Sequence, residues 1–378
     1  MGILHSSSRM NSSGIDSETR DKRYSLQRPL LANSSTPVSS NVAGTQTAKA
    51  TGSLAHSSPR RARRLEVRRP PLAHRLTEMA IHILAFSAVA AMVLILIFIA
   101  KEAWPILTSA TIHKEVTLAK MWFIQQWPGY DAPEHVWQPV AEIPKFGVWP
   151  LVVGTIKVTI IAMVVAVPLA VSAAVFVSQY AGRRTREIVK PAIEFLAGIP
   201  SVVLGFFALM VMASWFQDLF GLDSRLNAIV AGVALSFAVI PVIFTVCEEA
   251  LGAVPPSYVE ASVALGAARW QTIVKVVLPA AAPGIAASIA LGLGRAFGET
   301  MIVLMASGNA AILSANPADS VRTLSATIAA ELAEVVFGGP HYTVLFTLAV
   351  LLFIVTFGIN FIGDQTISRM KRRMGVSS

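Results

Sequence analysis

Cysteine is nearly absent: the 378-residue chain holds one, Cys247, within an apolar stretch. A single thiol excludes an intrachain disulfide and a multi-cysteine metal site. Charge is scarce too. Asp, Glu, Lys and Arg make up 14% of residues, against about 25% in soluble domains. With 54% hydrophobic residues, the chain reads as a polytopic membrane protein. No G-x-x-x-x-G-K-[S/T] run occurs, so no P-loop cradles a nucleotide. The glycines at 292, 294 and 298 are not a dinucleotide fingerprint, because Phe297 stands where the third glycine is needed. The seven histidines are scattered without ligand spacing. No metal or cofactor is expected, and the chain is not expected to be an enzyme.

What is present is a succession of long apolar runs. Residues 1 to about 75 are rich in Ser, Thr, Asn and Arg, too poor in large apolar residues to bury a core, and are expected to be disordered. The opening MGILHS fits a myristoylation pattern. A basic run (Arg60, Arg61, Arg63, Arg64, Arg68, Arg69, Arg75) precedes the first span, at 76–101. An outer, interfacial segment follows at 102–149 with five of the seven tryptophans, as in a belt at the membrane surface. The remaining spans are expected at Leu151–Ser178, Ala192–Trp215, Asn227–Cys247, Gly284–Met305 and Tyr342–Ile362, inside a core of 150–364. A basic tail closes the chain at 365–378. Bulky apolar spans with occasional Gly and Pro mean helices rather than a barrel. The expected class is an all-α membrane protein with six transmembrane helices.

The net charge of +9 raises the question of nucleic acid. The basic residues cluster beside the spans, however, where positive-inside bias accounts for them. Six spans put both termini and the 248–283 segment on one side, and every strongly basic cluster falls on that side. No nucleic-acid partner is expected.

Two stretches carry function. Pro255–Pro279 is too polar to span a bilayer yet lies between spans. Ser257 and Glu260 have capping-box spacing, and Gly266 can supply a turn at positive φ. A second short helix is expected from Arg269 to Val277, with Trp270, Ile273 and Val277 on one face and Pro279 as its stop. The other stretch is GLGRAFGETM at 292–301. Arg295 and Glu299 are four apart, on one helix face if the helix continues, and can pair. Each costs about 2.5–3.5 kcal/mol at a bilayer centre, so a pathway role is favoured over a mere staple to a neighbouring helix. Glu331 and Glu334, near His341, read as solvated charges on a short helix.

These motifs resemble known ones. Glu260-Ala261-Ser262, Gly266 and Val276-x-Leu278-Pro279 are similar to the EAA loop of permease subunits of bacterial ABC importers, with Ser for the second Ala and Val for Ile. From about Trp137 to Gly363 the chain resembles phosphate permeases of the C type (PstC). The resemblance rests on Gly154-Thr155, Gly198-Ile199-Pro200-Ser201, Glu249-Ala250-Leu251, Pro340-His341-Tyr342 and above all Gly294-Arg295-Ala296-Phe297-Gly298-Glu299-Thr300-Met301.

The resemblance implies the type I ABC importer permease fold in a bacterial inner membrane, both termini cytoplasmic. It implies an A-type permease partner, an ATPase homodimer and a periplasmic phosphate-binding protein. It places Arg295, Glu299 and Thr300 on the translocation pathway, and Glu260, Ala261, Gly266, Arg269 and Trp270 at the ATPase contact. Alternatives are a permease for another oxyanion such as molybdate or sulfate, an A-type phosphate permease and, further off, an ion-coupled secondary transporter. The last would commonly carry inverted repeats, of which the sequence has none.

Overall fold

The computed structural model describes residues 72–373, except the side chains at 72–75, 371 and 373. The readings made on residues 1–71 and 374–378, including the basic run as far as Arg69, lie outside the described residues.

Among the described residues, six helical stretches are long and apolar enough to cross a membrane. The first, Leu76–Thr108, takes in most of α1 (Leu72–Ala103), which runs into α2 (Pro105–Thr108). Two short helices, α3 (Ala110–Glu115) and α4 (Leu118–Trp122), and a two-stranded hairpin, β1 (Trp137–Gln138) with β2 (Lys145–Phe146), lead to the second. This is α5 (Trp149–Val175), ending in a π-helical turn at Phe176–Tyr180. Next come α6 (Arg183–Ala197) and the third span, α7 (Ser201–Phe207) and α8 (Ala213–Phe220) joined by a second π turn. The fourth is α9 (Ala228–Gly252). A helical hairpin, α10 (Pro256–Ala264) and α11 (Arg269–Thr272), passes through a third π turn into α12 (Leu278–Gly298). The chain ends with α13 (Met301–Ala306), α14 (Leu324–Glu331) and α15 (Pro340–Arg373).

The centre is α9, 61% buried over its most apolar window, whereas that of α1 is 0% buried. Small residues explain how α9 is enclosed. Ala162, Ala166, Ala170 and Ala174 form an i, i+4 stripe on α5, all 0% exposed, and face α9, whose Ala228, Ala231 and Leu235 are equally buried. Lipid gives helices no hydrophobic reason to associate, so close backbone approach through small side chains supplies the contact.

Span boundaries depart from the sequence reading at two prolines. The third span starts at Ser201, not Ala192: Ile199 precedes Pro200, a position that disfavours helix, and Pro200 becomes the N-cap of α7. The preceding α6 is a separate amphipathic helix with no buried residue. At Pro279 the outcome is the reverse. The helix does not stop but runs from Arg269 to Gly298. The Leu278 N–H reaches back five residues to Ile273 O, and this widened turn makes room for a proline ring that would otherwise press on the carbonyl four residues back.

The 102–149 segment is more than an interfacial belt. Ile106, Ile112, Val116, Met121, Trp137 and Phe146 form their own core against Leu345 and Leu348 of α15. Trp137 is 4% exposed and belongs to that core, whereas Trp104 is 61% exposed, as a belt residue should be. The sixth span is longer than Tyr342–Ile362, since α15 carries the helix through the basic residues to Arg373.

Candidate functional site

The GRAFGET stretch is a break between two helices. Gly298 ends α12, Glu299 is extended (φ −69°, ψ 135°), and α13 starts at Met301. The expected Arg295–Glu299 pair therefore does not form: one helix face cannot hold a residue that has left the helix. The Glu299 side chain turns instead to the N-terminus of α13, where Oε1 lies 3.5 Å from the Ile302 N–H. A carboxylate there complements the positive end of a helix.

The break is held from outside. Ser325 Oγ of α14 donates to Glu299 O at 2.7 Å. Thr155 Oγ1 of α5 accepts from the Leu324 N–H at 3.0 Å and donates to Leu151 O at 2.7 Å. Gly154 permits this approach, since a Cβ there would lie 2.2 Å from Arg322 O. Asn309, at φ 52°, donates through Nδ2 to Leu304 O at 2.7 Å, tying the exit of α13.

Arg295 is exposed on α12, with no ion pair or hydrogen bond among the described residues; Glu299 and Thr300 are half-buried. Thr300 Oγ1 points back to Gly298 O at 3.4 Å. The surface carrying Arg295 also holds Leu291, 51% exposed. A bare guanidinium at a bilayer centre costs about 2.5–3.5 kcal/mol, which favours water, an anion or another protein over hydrocarbon beside it.

The second site is the α10–α11 hairpin. Gly266, at φ 82°, makes the turn that the sequence called for. Ser257 and Glu260 make no capping box: the N-cap is Pro255, without a side-chain cap. Glu260 and Ala261 are exposed and so available to a partner. Ser262, where the EAA pattern has alanine, is 8% exposed and hydrogen-bonds Thr272 Oγ1 across the turn at 2.9 Å. Gln271 reaches back to the Ala268 N–H at 2.9 Å. Arg269 donates to Gln179 O and lies 5.2 Å from the Tyr180 ring, so it fastens the hairpin to the end of the second span. Trp270 does not share a face with Ile273 and Val277. It is 58% exposed, while they are 4% and 1%. With Tyr258, Val263 and Leu265 also exposed, the hairpin presents an apolar surface rimmed by Glu260.

Two carboxylates are more than the sequence suggested. Glu248, on α9, takes Arg186 and Lys190 of α6, the latter at 3.0 Å. Its place at the end of an apolar run was the available signal, because a charge there needs partners. Glu331 is not a solvated charge. Its carboxylate receives Arg322 at 2.9 Å, His341 at 2.8 Å and Trp137 Nε1 at 3.1 Å. Nothing in local sequence links Trp137 to Glu331, 194 positions on.

Comparison with known proteins agrees with this architecture. Residues 166–374 match the family model described as binding-protein-dependent transport system inner membrane component. The probable ABC transporter permease protein YqgH of Bacillus subtilis is 34% identical over 58% of this chain and 72% of its own length. The phosphate transport system permease protein PstC of Mesorhizobium japonicum is 33% identical over 63% and 78%. The crystal structure of a bacterial alginate ABC transporter, in complex with an alginate pentasaccharide-bound periplasmic protein, is similar in fold. It has a TM-score of 0.50 at 14% identity, covering 77% of this chain and 94% of that one. With six spans, a helical hairpin between the fourth and fifth and a family match over more than half its length, this chain belongs to the inner membrane components of binding-protein-dependent transport systems.

Proposed function

We propose that the chain is the permease subunit of an ATP-driven importer carrying inorganic phosphate across a bacterial inner membrane. The observation that carries this reading is Arg295: an exposed guanidinium within a span, unpaired among the described residues, beside a helix break. A planar guanidinium suits an oxyanion, and relatives at about one-third identity are named phosphate permeases. Broken helices at membrane depth are tolerated where they line a cavity or are buried in protein.

The α10–α11 hairpin is the contact for a cytoplasmic ATPase dimer. Its apolar side chains, Tyr258, Leu265 and Trp270, enter a groove on the ATPase, and Glu260 meets a polar rim. Arg269 transmits movement of the hairpin to the second span through Gln179. An A-type permease covers the Arg295 surface, and a periplasmic phosphate-binding protein delivers substrate opposite the hairpin. Both termini are cytoplasmic, on the side of the basic clusters. Closure of the ATPase dimer moves the hairpin, and the pathway past Arg295 opens alternately to each side. Glu299, engaged with α13, holds the break and keeps the anion from binding too tightly for release.

The test is uptake of labelled phosphate in cells lacking the chain and in cells with it restored. Uptake lost on deletion and recovered by the wild-type chain supports the reading. Unchanged uptake, with no second importer present, overturns the substrate assignment, and competition by sulfate or molybdate then identifies another oxyanion. Uptake that survives ATP depletion but not an uncoupler overturns the ATPase-driven mechanism.

A further inference from the structure

A cavity of about 440 Å³ lies where α1 and α2 meet the first half of α15, beneath α4. Its floor is Ala103, Ile106, Met121, Val148 and Leu348, all buried. Its rim is exposed: Trp104 61%, Leu107 52% and Ile354 59%. The lining is apolar apart from the Thr347 hydroxyl and the indole N–H groups of Trp104 and Trp122, and none of the lining residues is charged. Both long walls belong to helices long and apolar enough to cross a membrane, Leu76–Thr108 and Pro340–Met370, and the mouth opens sideways between them.

Shape and size select the occupant. Along α15 the lining runs from Thr347 to Ile354, about 10 Å at 1.5 Å per residue, so the slot follows the helix axis as a lipid tail does. Its volume is about three times the ~150 Å³ cavity that accepts one six-carbon benzene ring, room for a segment of one acyl chain. Trp104 and Trp122 line one end, the side-chain type that sits at headgroup level. Lys101, its side chain 76% exposed, lies one turn before Trp104, with Glu102 3.8 Å away. The α1 helix is held chiefly along α15, where Phe98 and Phe346 meet ring to ring at 5.9 Å, and its most apolar window is 0% buried.

We infer that this cavity is a binding site for one acyl chain of a phospholipid, whose phosphate lies within reach of Lys101. The bound chain fills the gap between α1 and α15 and fastens the first span to the permease core.

The experiment uses the full chain with its partner subunits in membranes containing phosphatidylglycerol that carries a photoreactive acyl chain. Cross-linked peptides are mapped by mass spectrometry in the wild type, in Ala103→Trp and Leu351→Trp, which fill the cavity, and in Ile160→Trp, on another exposed face. Labelling of peptides 100–107 and 347–354 is expected to fall about tenfold in the filled variants, a loss of one decade in affinity, and to hold in Ile160→Trp. Two filling positions guard against one variant failing to accumulate. Uniform labelling around all spans, labelling unchanged by either filling variant, or protection of these peptides by a partner subunit each overturns the inference.

Discussion

Arg295 and Glu248 lie on neighbouring spans, yet the fold treats them oppositely. Glu248 is 2% exposed in its side chain and is met by two cations from α6. Arg295 is exposed and has no such partner among the described residues. Glu331 follows the first pattern, with three partners on its two oxygens. A buried charge without a partner costs several kcal/mol. The fold therefore satisfies its structural carboxylates from within, and leaves open the one cation beside the α12–α13 break. The contrast separates charges that hold helices together from a charge without a partner among the described residues.

The sharpest way to break that contrast is Arg295→Gln. A charge-assisted hydrogen bond is worth about 1.5–3 kcal/mol, so phosphate uptake is expected to fall by roughly 10- to 150-fold. The amount of protein in the membrane should stay the same, because no internal contact is lost. Arg295→Lys should recover part of the uptake, lacking the planar fork. Normal uptake by Arg295→Gln would place the guanidinium outside the pathway.

Glu248→Ala should give the opposite phenotype. Removing one partner of a buried pair costs about 3–5 kcal/mol. Here the effect falls nearer 2–3 kcal/mol, because Arg186 and Lys190 keep 49% and 33% exposure and recover water. Thermal stability and accumulation drop, while uptake per folded molecule holds. If uptake per molecule fell instead, the α6–α9 clamp would belong to the transport machinery.

Gly266→Ala tests the hairpin with a smaller effect. An L-residue at left-handed φ costs about 1–2 kcal/mol, and Gly266 sits at φ 82° with no atom close enough to clash with a Cβ. Uptake should fall severalfold with the complex still assembled, and wild-type uptake would show that the turn need not be held at this angle.

Much of this was legible in sequence. Four of the six spans lie close to their expected places, since long apolar runs are a one-dimensional signal; the third and fifth do not. Gly266 was found because only a residue tolerant of positive φ suits that turn. The misses share a cause. Pro200 and Pro279 look alike in sequence, but one breaks a helix and the other is absorbed by a π turn, and the choice is made by packing. The Arg295–Glu299 spacing promised a pair only if the helix continued. The helix ends at Gly298, and the break is bonded by Ser325 of α14, a segment that Thr155 and Gly154 of α5 hold in place. Glu331 and Trp137 meet across 194 positions, beyond the reach of any local pattern.

The smallest effect probes how the hairpin keeps its shape where it departs from the EAA pattern. Ser262 and Thr272 are 8% and 2% exposed and bonded to each other at 2.9 Å. Ser262→Ala restores the usual residue but strands the Thr272 hydroxyl, at a cost of about 1 kcal/mol. Thr272→Val strands Ser262 by a similar amount. The double variant leaves no hydroxyl unpaired, so its loss should be smaller than the sum of the two, with a coupling of about 0.5–1.5 kcal/mol. Thermal unfolding of the purified complex measures each corner of the cycle. Additive losses would mean that the hydroxyls find other partners and that Gly266 and the Arg269–Gln179 contact set the hairpin on their own. A clear coupling would mean that a serine in place of alanine brings its own means of locking α10 to α11, while leaving Glu260 and Ala261 exposed for a partner.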